Sequence, residues 1–223
     1  MSEKDGKNMS VQSIKRLPYY LKFLKELEEK GNTYVPALVL AEYFDVYEVQ
    51  VRKDLAAVSS QPGKPRVGFN VHTLINDIEH FLGYDRLKTA VLVGAGHLGS
   101  ALLSYGEFEH YGLKIIAAFD SNPEVIGQKI HGRTVHAMEE LEEYCDKHHA
   151  AIGIITTPAD YAQQVCDQLV KAGVKGIWNF AHVHLTVPAG VLMQREDMAI
   201  SLALLSNRLV QEYEDMDLSE VEE

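Results

Sequence analysis

The stretch "TAVLVGAGHLGSALLSYGEFEHYGLKIIAAFD", Thr89–Asp120, decides the fold of this chain. An apolar run, Ala90 to Val93, enters Gly94-x-Gly96-x-x-Gly99; a helical segment follows, and a second apolar run, Ile115 to Phe119, ends on Asp120. This is a strand–helix–strand unit with its acid about 20 residues past the last glycine, the pattern of a dinucleotide site. Gly94 permits the tight turn, Gly96 lets the backbone approach a pyrophosphate, and Gly99 lets the helix lie close to the strand. The helix N-terminus supplies oriented amides for the anion. Gly94, Ala95, Gly96, His97, Leu98 and Gly99 are therefore the candidate phosphate loop. Asp120 would accept hydrogen bonds from ribose hydroxyls and repel a 2′-phosphate, which favours NAD over NADP.

Downstream, strand-like runs recur at 151–155, ending in "TTPAD", and at 174–179, ending in "NFAHVH", with a helical stretch over 161–171 between them. The expectation is a doubly wound Rossmann-type α/β sheet. Ligands in such sheets bind beyond the carboxyl ends of the strands, so Thr156, Thr157, Pro158, Asn179, Phe180 and Ala181 are candidates for the nicotinamide pocket. Thr156 and Thr157 equally suit a helix N-cap and turn before Pro158. The last apolar segment, 198–210, repeats hydrophobic residues almost all round. A helix without a polar face wants burial on more than one side, and a second subunit would supply it, so a homodimer is expected.

Upstream, "SIKRLPYYLKFLKELEEKG" places Ile14, Leu17, Leu21 and Leu24 on one helical stripe, with Ser13 as N-cap, Pro18 in the opening turns and Gly31 as the stop. A second helix covers 36–43 and a third 47–59, where Val51, Leu55 and Val58 form the anchoring face and Gln50, Arg52 and Lys53 point elsewhere. "QPGKPRVGFNV" then reads as a turn and hairpin with Val67 and Phe69 in strand alternation. Three helices and a basic hairpin are the layout of a winged helix-turn-helix. A recognition helix must offer donors to base edges and phosphates while its opposite face anchors in a core. Arg52 and Lys53 meet that demand, and Lys64, Arg66 and Arg16 are placed to neutralise flanking phosphates. A helix near 74–82, packing Leu74, Ile78 and Phe81, leads to Gly83.

The chain of 223 residues has a formal net charge of −11, yet residues 1–70 carry 11 Lys and Arg against 9 Asp and Glu. All of the acidic excess thus lies in the remainder, part of it in the self-repelling tail from Glu212 to Glu223. No apolar run approaches the roughly 20 residues of a membrane span, and the polar start "MSEKDGKNMSVQS" has no signal-peptide character, so a cytoplasmic protein is expected. Cys145 and Cys166 lack metal or redox-motif spacing and read as buried spectators; no metal site is expected. The expected organisation is a disordered start over 1–12, a winged-helix domain over 13–71 and a linker helix over 72–88. A Rossmann domain over 89–196, a dimerisation helix over 197–211 and a disordered acidic tail over 212–223 follow.

The order of "VRKDL", "VGFNV", "VLVGAGHLGSAL", "FDSNPEVIG", "TTPA" and "GIWNFA" resembles the Rex family of redox-sensing transcriptional repressors, from about Ile14 to Leu209. The resemblance implies a homodimer with exchanged C-terminal helices that binds double-stranded DNA at AT-rich inverted-repeat operators and leaves them when NADH accumulates. It implies no enzymatic activity. It places Arg52 and Lys53 on the recognition helix, Lys64 and Arg66 in the wing, and Gly94 to Gly99 and Asp120 at the nucleotide. It pairs Tyr105, near the nicotinamide, with an Asp of the partner subunit that corresponds to Asp197. Three features depart from the family: "GKPRVG" replaces Gly-Lys-Arg-Gly-Val-Gly in the wing, Tyr47 stands where a Ser or Thr N-cap is usual, and "DMAISLALLSNRL" lacks a Glu near Ser201 or Leu202.

The switch this implies rests on charge. A cationic NAD+ ring pressed among Pro158, Phe180 and Ala181 loses hydration that the neutral NADH ring does not need, so NADH binds tighter. If the two ligands favour different subunit placements, only one places the recognition helices at half-sites about 34–36 Å apart. The rival reading is an NAD-dependent oxidoreductase with an incidental basic helix, in which His182 or His184 would move the proton. No partner residue for either is recognisable. Another nucleotide-binding module, such as one for CoA, shares the glycine loop but explains Asp120 and the winged helix less well.

Overall fold

The computed structural model describes residues 9–220, with side chains through residue 213. It divides into two compact units, one ending at Arg86 and the other beginning at Leu87.

The first unit is built from α1 (Val11–Glu29), β1 (Tyr34–Val35), α2 (Ala37–Phe44), α3 (Glu48–Val58), β2 (Phe69–Asn70) and α4 (Val71–Leu82). Ser10, not Ser13, caps α1: its hydroxyl accepts from the Ser13 amide at 3.1 Å. Pro18 consequently falls inside the helix, where its missing N–H leaves the Ile14 carbonyl without its helical donor. Order begins earlier than the sequence suggested, since α1 takes in residues 11 and 12; residues 1–8 of the expected disordered start lie outside the described residues. Leu17, Tyr20, Leu21 and Leu24 of α1 meet Leu40 of α2, Val51 and Leu55 of α3, and Leu74, Ile75 and Ile78 of α4 in one core. At roughly 2 kcal/mol per fully buried aliphatic side chain, this face holds the helices together.

Two expectations need correction here. The helix expected as a linker is α4, an integral wall of the first core, capped by the Asn70 side chain on the Thr73 amide. Within it Ile75 is buried and Phe81 is 42% exposed, because the helix starts at Val71 and its inward stripe runs through 71, 74, 75 and 78. The hairpin after α3 also differs. Phe69 and Asn70 pair antiparallel with Tyr34 and Val35, a two-residue strand too short to leave a periodic signal, and the hairpin arms themselves meet only at Lys64 and Gly68.

The second unit opens with β3 (Lys88–Val93), α5 (His97–Ser104), a 3-10 stretch (Gly106–Tyr111) and β4 (Leu113–Asp120). Then come the hairpin β5 (Lys129–Ile130) and β6 (Arg133–Ala137), α6 (Leu141–His148), β7 (Ile152–Ile155), α7 (Ala159–Lys171), β8 (Gly176–Asn179), β9 (Leu192–Arg195) and α8 (Met198–Glu220). Among the described residues the sheet order is β5-β6-β4-β3-β7-β8-β9, parallel except for the β5–β6 hairpin. The chain runs outward from β3 through β4 to β6, then returns to the other side of β3. The switch point therefore lies at the carboxyl end of β3, where such sheets bind ligands.

Cys145 and Cys166 are buried free thiols in the core on one face of this sheet, and burial pushes both thiol pKa values up, that of Cys145 to about 11. The helix expected to end near 211 continues to Glu220, since neither glycine nor proline follows Gly190 and the acidic segment is built largely of good helix formers; residues 221–223 of the expected disordered tail lie outside the described residues. Met198, Ile200, Leu202, Leu204, Leu205, Leu209 and Val210 are all between 47% and 72% exposed on α8. Among the described residues no helix is long and apolar enough to cross a membrane.

Candidate nucleotide cleft and nucleic-acid interface

Gly94 holds φ +102°, which L side chains rarely adopt, and a Cβ there would lie 2.9 Å from the Thr156 carbonyl carbon. The glycine turn is thus pressed against the end of β7. Thr156 secures the approach: its hydroxyl donates toward the carbonyls of Gly94 at 2.7 Å and Val93 at 3.1 Å. Gly99 brings α5 against the same turn, its Cβ direction ending 2.0 Å from the Gly94 oxygen. Gly96 faces open space, with no atom within 4 Å of the place a methyl group would take, so the backbone at the head of α5 is accessible. Asp120 closes the far side. Its Oδ2 accepts from the Ala95 amide at 2.7 Å and its Oδ1 from the Asn122 amide at 2.9 Å, leaving further lone pairs for a hydroxyl donor.

These parts enclose a cleft of about 560 Å³ lined by Gly94, Gly96, Asp120, Thr156, Thr157 and Pro158. Met138, Glu139, Tyr161, Gln164, Gln168, Val93, Ser121 and Val165 complete the lining; none was singled out from the sequence as a ligand contact. The signal for the first two lay in the alternating "RTVHA" of β6, whose carboxyl end delivers them. The Thr157 hydroxyl is the one buried side-chain polar atom among the described residues without a hydrogen-bond partner. An orphaned hydroxyl in a concave site beside accessible backbone and a carboxylate fits a polyhydroxylated, anionic nucleotide.

The structure separates the other expected contacts from this cleft. Asn179 is fully buried, its Nδ2 donating to the Val183 carbonyl at 3.0 Å and its Oδ1 accepting from the Ala181 amide at 2.9 Å. It shapes the loop after β8 and has no surface for a ligand. Ala181 is packed in the core, and Phe180 tilts against Trp178 with ring centres 4.9 Å apart. His97 and Leu98 lie exposed at the start of α5. Tyr105, 48% exposed, rests edge-on against Phe108. Asp197 accepts from Arg195 at 2.6 Å and from the Ala199 amide just inside α8, with lone pairs left for a further donor. His182 and His184 are exposed and outside the cleft lining.

In the first unit α3 is fastened to α1 by a buried carboxylate. Asp54, 2% exposed, accepts from Arg16 Nε at 2.7 Å and Nη2 at 3.1 Å, from Gln50 at 2.8 Å and from the Tyr20 hydroxyl at 3.3 Å. Burial alone would raise the Asp54 pKa, but the hydrogen bonds from Arg16, Gln50 and Ser13 and the guanidinium charge hold it below the usual value. Burial, reinforced by the Asp54 charge, pushes the Tyr20 phenol up to about 12. Arg16 and Gln50 thus have a structural role, holding Asp54, that their expected place at DNA did not include. The helical phase that places Leu17 and Tyr20 inward carries Arg16 to the edge of the same core.

Of the remaining expected contacts, Arg52, Lys64 and Arg66 share one surface, and Lys53 follows Arg52 on α3 outside its lining. Arg52 and Lys53 are exposed on α3, and Lys64 and Arg66 on the hairpin, with an open groove of about 680 Å³ lined by Arg52, Lys64 and Arg66 between helix and hairpin. The Lys64 ammonium lies 4.7 Å from the Tyr34 ring centre and donates to its hydroxyl at 2.7 Å, which fixes the hairpin cation in direction. That contact lowers the Tyr34 pKa. Pro65 and Arg66 are the central residues of a turn closed by the Val67 amide on the Lys64 carbonyl, and Arg66 occupies φ +63°. A β-carbon in that region costs on the order of 1 kcal/mol, and glycine would avoid it. Replacing Arg66 with glycine is expected to raise the melting temperature slightly while making duplex affinity about 0.9 less steep in log salt, measured by thermal scans and salt titrations.

The family model described as "CoA binding domain" matches residues 85–183, and "Putative DNA-binding protein N-terminus" matches residues 8–56. A Treponema denticola protein named redox-sensing transcriptional repressor Rex is 43% identical over 196 residues, 88% of this chain and 93% of that relative. Among solved structures, RSP in complex with beta-NAD+ and operator DNA superposes with a TM-score of 0.85 at 34% identity, covering 95% of this chain and 97% of RSP. RSP in complex with beta-NADH gives a TM-score of 0.83 at the same identity, covering 95% and 99%.

Proposed function

The chain belongs to the Rex family of redox-sensing transcriptional repressors, and on that footing we propose how its own residues perform the task. It is a DNA-binding repressor rather than an enzyme, and it answers to NADH and NAD+. The observation that carries the residue assignment is the joint presence of the cationic helix–hairpin groove and the Thr157-lined glycine cleft. Arg52 and Lys53 enter the major groove, while Lys64 and Arg66 hold flanking phosphates of an AT-rich inverted repeat. The backbone at Gly96 and the head of α5 hold the pyrophosphate, Asp120 the ribose, and the Thr157 hydroxyl gains the partner it lacks.

Apolar walls at Val93, Pro158 and Val165 disfavour a cationic ring over a neutral one, which supports tighter binding of NADH. A homodimer accounts for α8, since a second copy lying on it covers its exposed apolar side chains. The pairing of Tyr105 with Asp197 of the partner subunit then draws on the lone pairs that the Arg195 and Ala199 contacts leave. The cytoplasm, where duplex and nucleotide pool coexist, is its place of action.

Gel shifts on an AT-rich palindrome, repeated with NADH and with NAD+, test this reading. NADH is expected to release the duplex at concentrations where NAD+ does not. Equal affinity for the two nucleotides would defeat it, because a ligand shifts an equilibrium only through differential binding.

A further inference from the structure

Glu48 is the first residue of α3 and Arg52 lies one turn later, with Arg52 Nη2 donating to Glu48 Oε1. The Arg52 side chain is 66% exposed, and both residues line the groove that Lys64 and Arg66 also reach. Lys53, the adjacent cation, is exposed and has no carboxylate partner among the described residues. An acid on the leading edge of a helix that approaches a polyanion opposes binding unless it has a use there. The fork of carboxylate and guanidinium is nearly neutral, so it adds little to phosphate neutralisation. It does, however, hold the guanidinium in one direction and presents an acceptor beside it. Those are the groups that read a G·C pair in the major groove: arginine on guanine O6 and N7, and glutamate on the cytosine amino group. They also stand at the N-terminal end of the helix, the part that meets base edges.

We propose that Glu48 and Arg52 together form the base-reading element of α3, Glu48 selecting cytosine in each half-site and weakening attachment to all other duplexes. This rests on the reading of the first unit as a DNA-binding domain. Lys53, Lys64 and Arg66 then carry the phosphate contacts. A carboxylate that merely complements the helix dipole would leave base preference untouched, although its charge would still weaken attachment to any duplex.

The test compares the full chain with Glu48→Ala and Glu48→Gln, using a pool of palindromic duplexes with randomised half-sites and one unrelated duplex, between about 50 and 200 mM salt. Wild type is expected to enrich a G·C pair at one position per half-site. Glu48→Ala frees Arg52 for a phosphate, which tightens the unrelated duplex about eightfold near 0.1 M salt and steepens the log–log slope by about 0.9. Preference for the selected duplex over the unrelated one falls about tenfold. Glu48→Gln moves the enriched base from cytosine toward adenine, with which an amide pairs bidentately. Base preference is scored on bound duplexes alone, so a partly unfolded variant does not distort it. Binding by wild type with unchanged base preference in both variants, whatever the salt slope, overturns the assignment of Glu48. Failure of wild type to bind any duplex overturns the DNA-binding reading itself.

Discussion

Gly99→Ala is expected to weaken nucleotide binding by at least about a hundredfold, roughly 2.7 kcal/mol, and to leave a repressor that stays on its operator whatever the NADH level. The methyl group would sit 2.0 Å from the Gly94 carbonyl oxygen and 3.0 Å from Leu92 Cδ2. The first of these is main chain, so relief requires displacing the turn that receives the pyrophosphate. Overpacking of this kind also costs about 1–3 kcal/mol of stability. Gly96→Ala is the informative companion. Its methyl meets no protein atom within 4 Å, so the fold should melt normally while the ligand alone feels the obstruction. Calorimetric titration with NADH, set beside thermal scans, separates the two. Normal NADH affinity in Gly99→Ala would mean the nucleotide does not use this turn.

The second large effect is expected at Asp54. Removing one member of a buried ion pair costs about 3–5 kcal/mol, and allowing for the quarter-exposed Arg16 side chain, which water can reach, about 2–3 kcal/mol is expected for Asp54→Ala. Arg16, Gln50 and Tyr20 all lose their common acceptor, and α3 loses its fastening to α1. Urea unfolding should show the loss, and duplex binding should weaken with it, while NADH titration continues to report an intact second unit. The same carboxylate sets an acid limit. Its folded pKa lies below the ordinary value of about 3.9, so its contribution is complete above about pH 4 and disappears as pH falls through the lowered value. Asp54→Asn should abolish that part of the acid transition.

The parts legible in the sequence are those with local periodicity. The β3–α5–β4 unit and its glycine turn stand where the apolar runs and the spacing to Asp120 put them, and the inward phase of α3 follows from Val51 and Leu55. Strands β1 and β9 were missed because two to four residues, several of them exposed, leave no pattern distinguishable from a loop, whereas the short alternation of β6 was there to be read. The structural role of Arg16 was missed for a different reason. Its partner lies 38 positions away, and no local rule reveals a buried acid waiting there. Asn179 failed similarly, since a residue at a strand's carboxyl end can face the ligand or staple its own loop, and only the Val183 and Ala181 contacts distinguish them. The Thr157 hydroxyl gave the opposite lesson: sequence offered both a turn and a ligand role, and its lack of any partner inside the protein favours the second.

Cys145 and Cys166 lie in the interior as protonated sulfur, and only the anionic form attacks peroxides, disulfides or electrophiles. Thiols shielded in this way offer no thiolate to peroxides or alkylating agents. What this repressor answers to instead is the balance of reducing equivalents held in a soluble carrier.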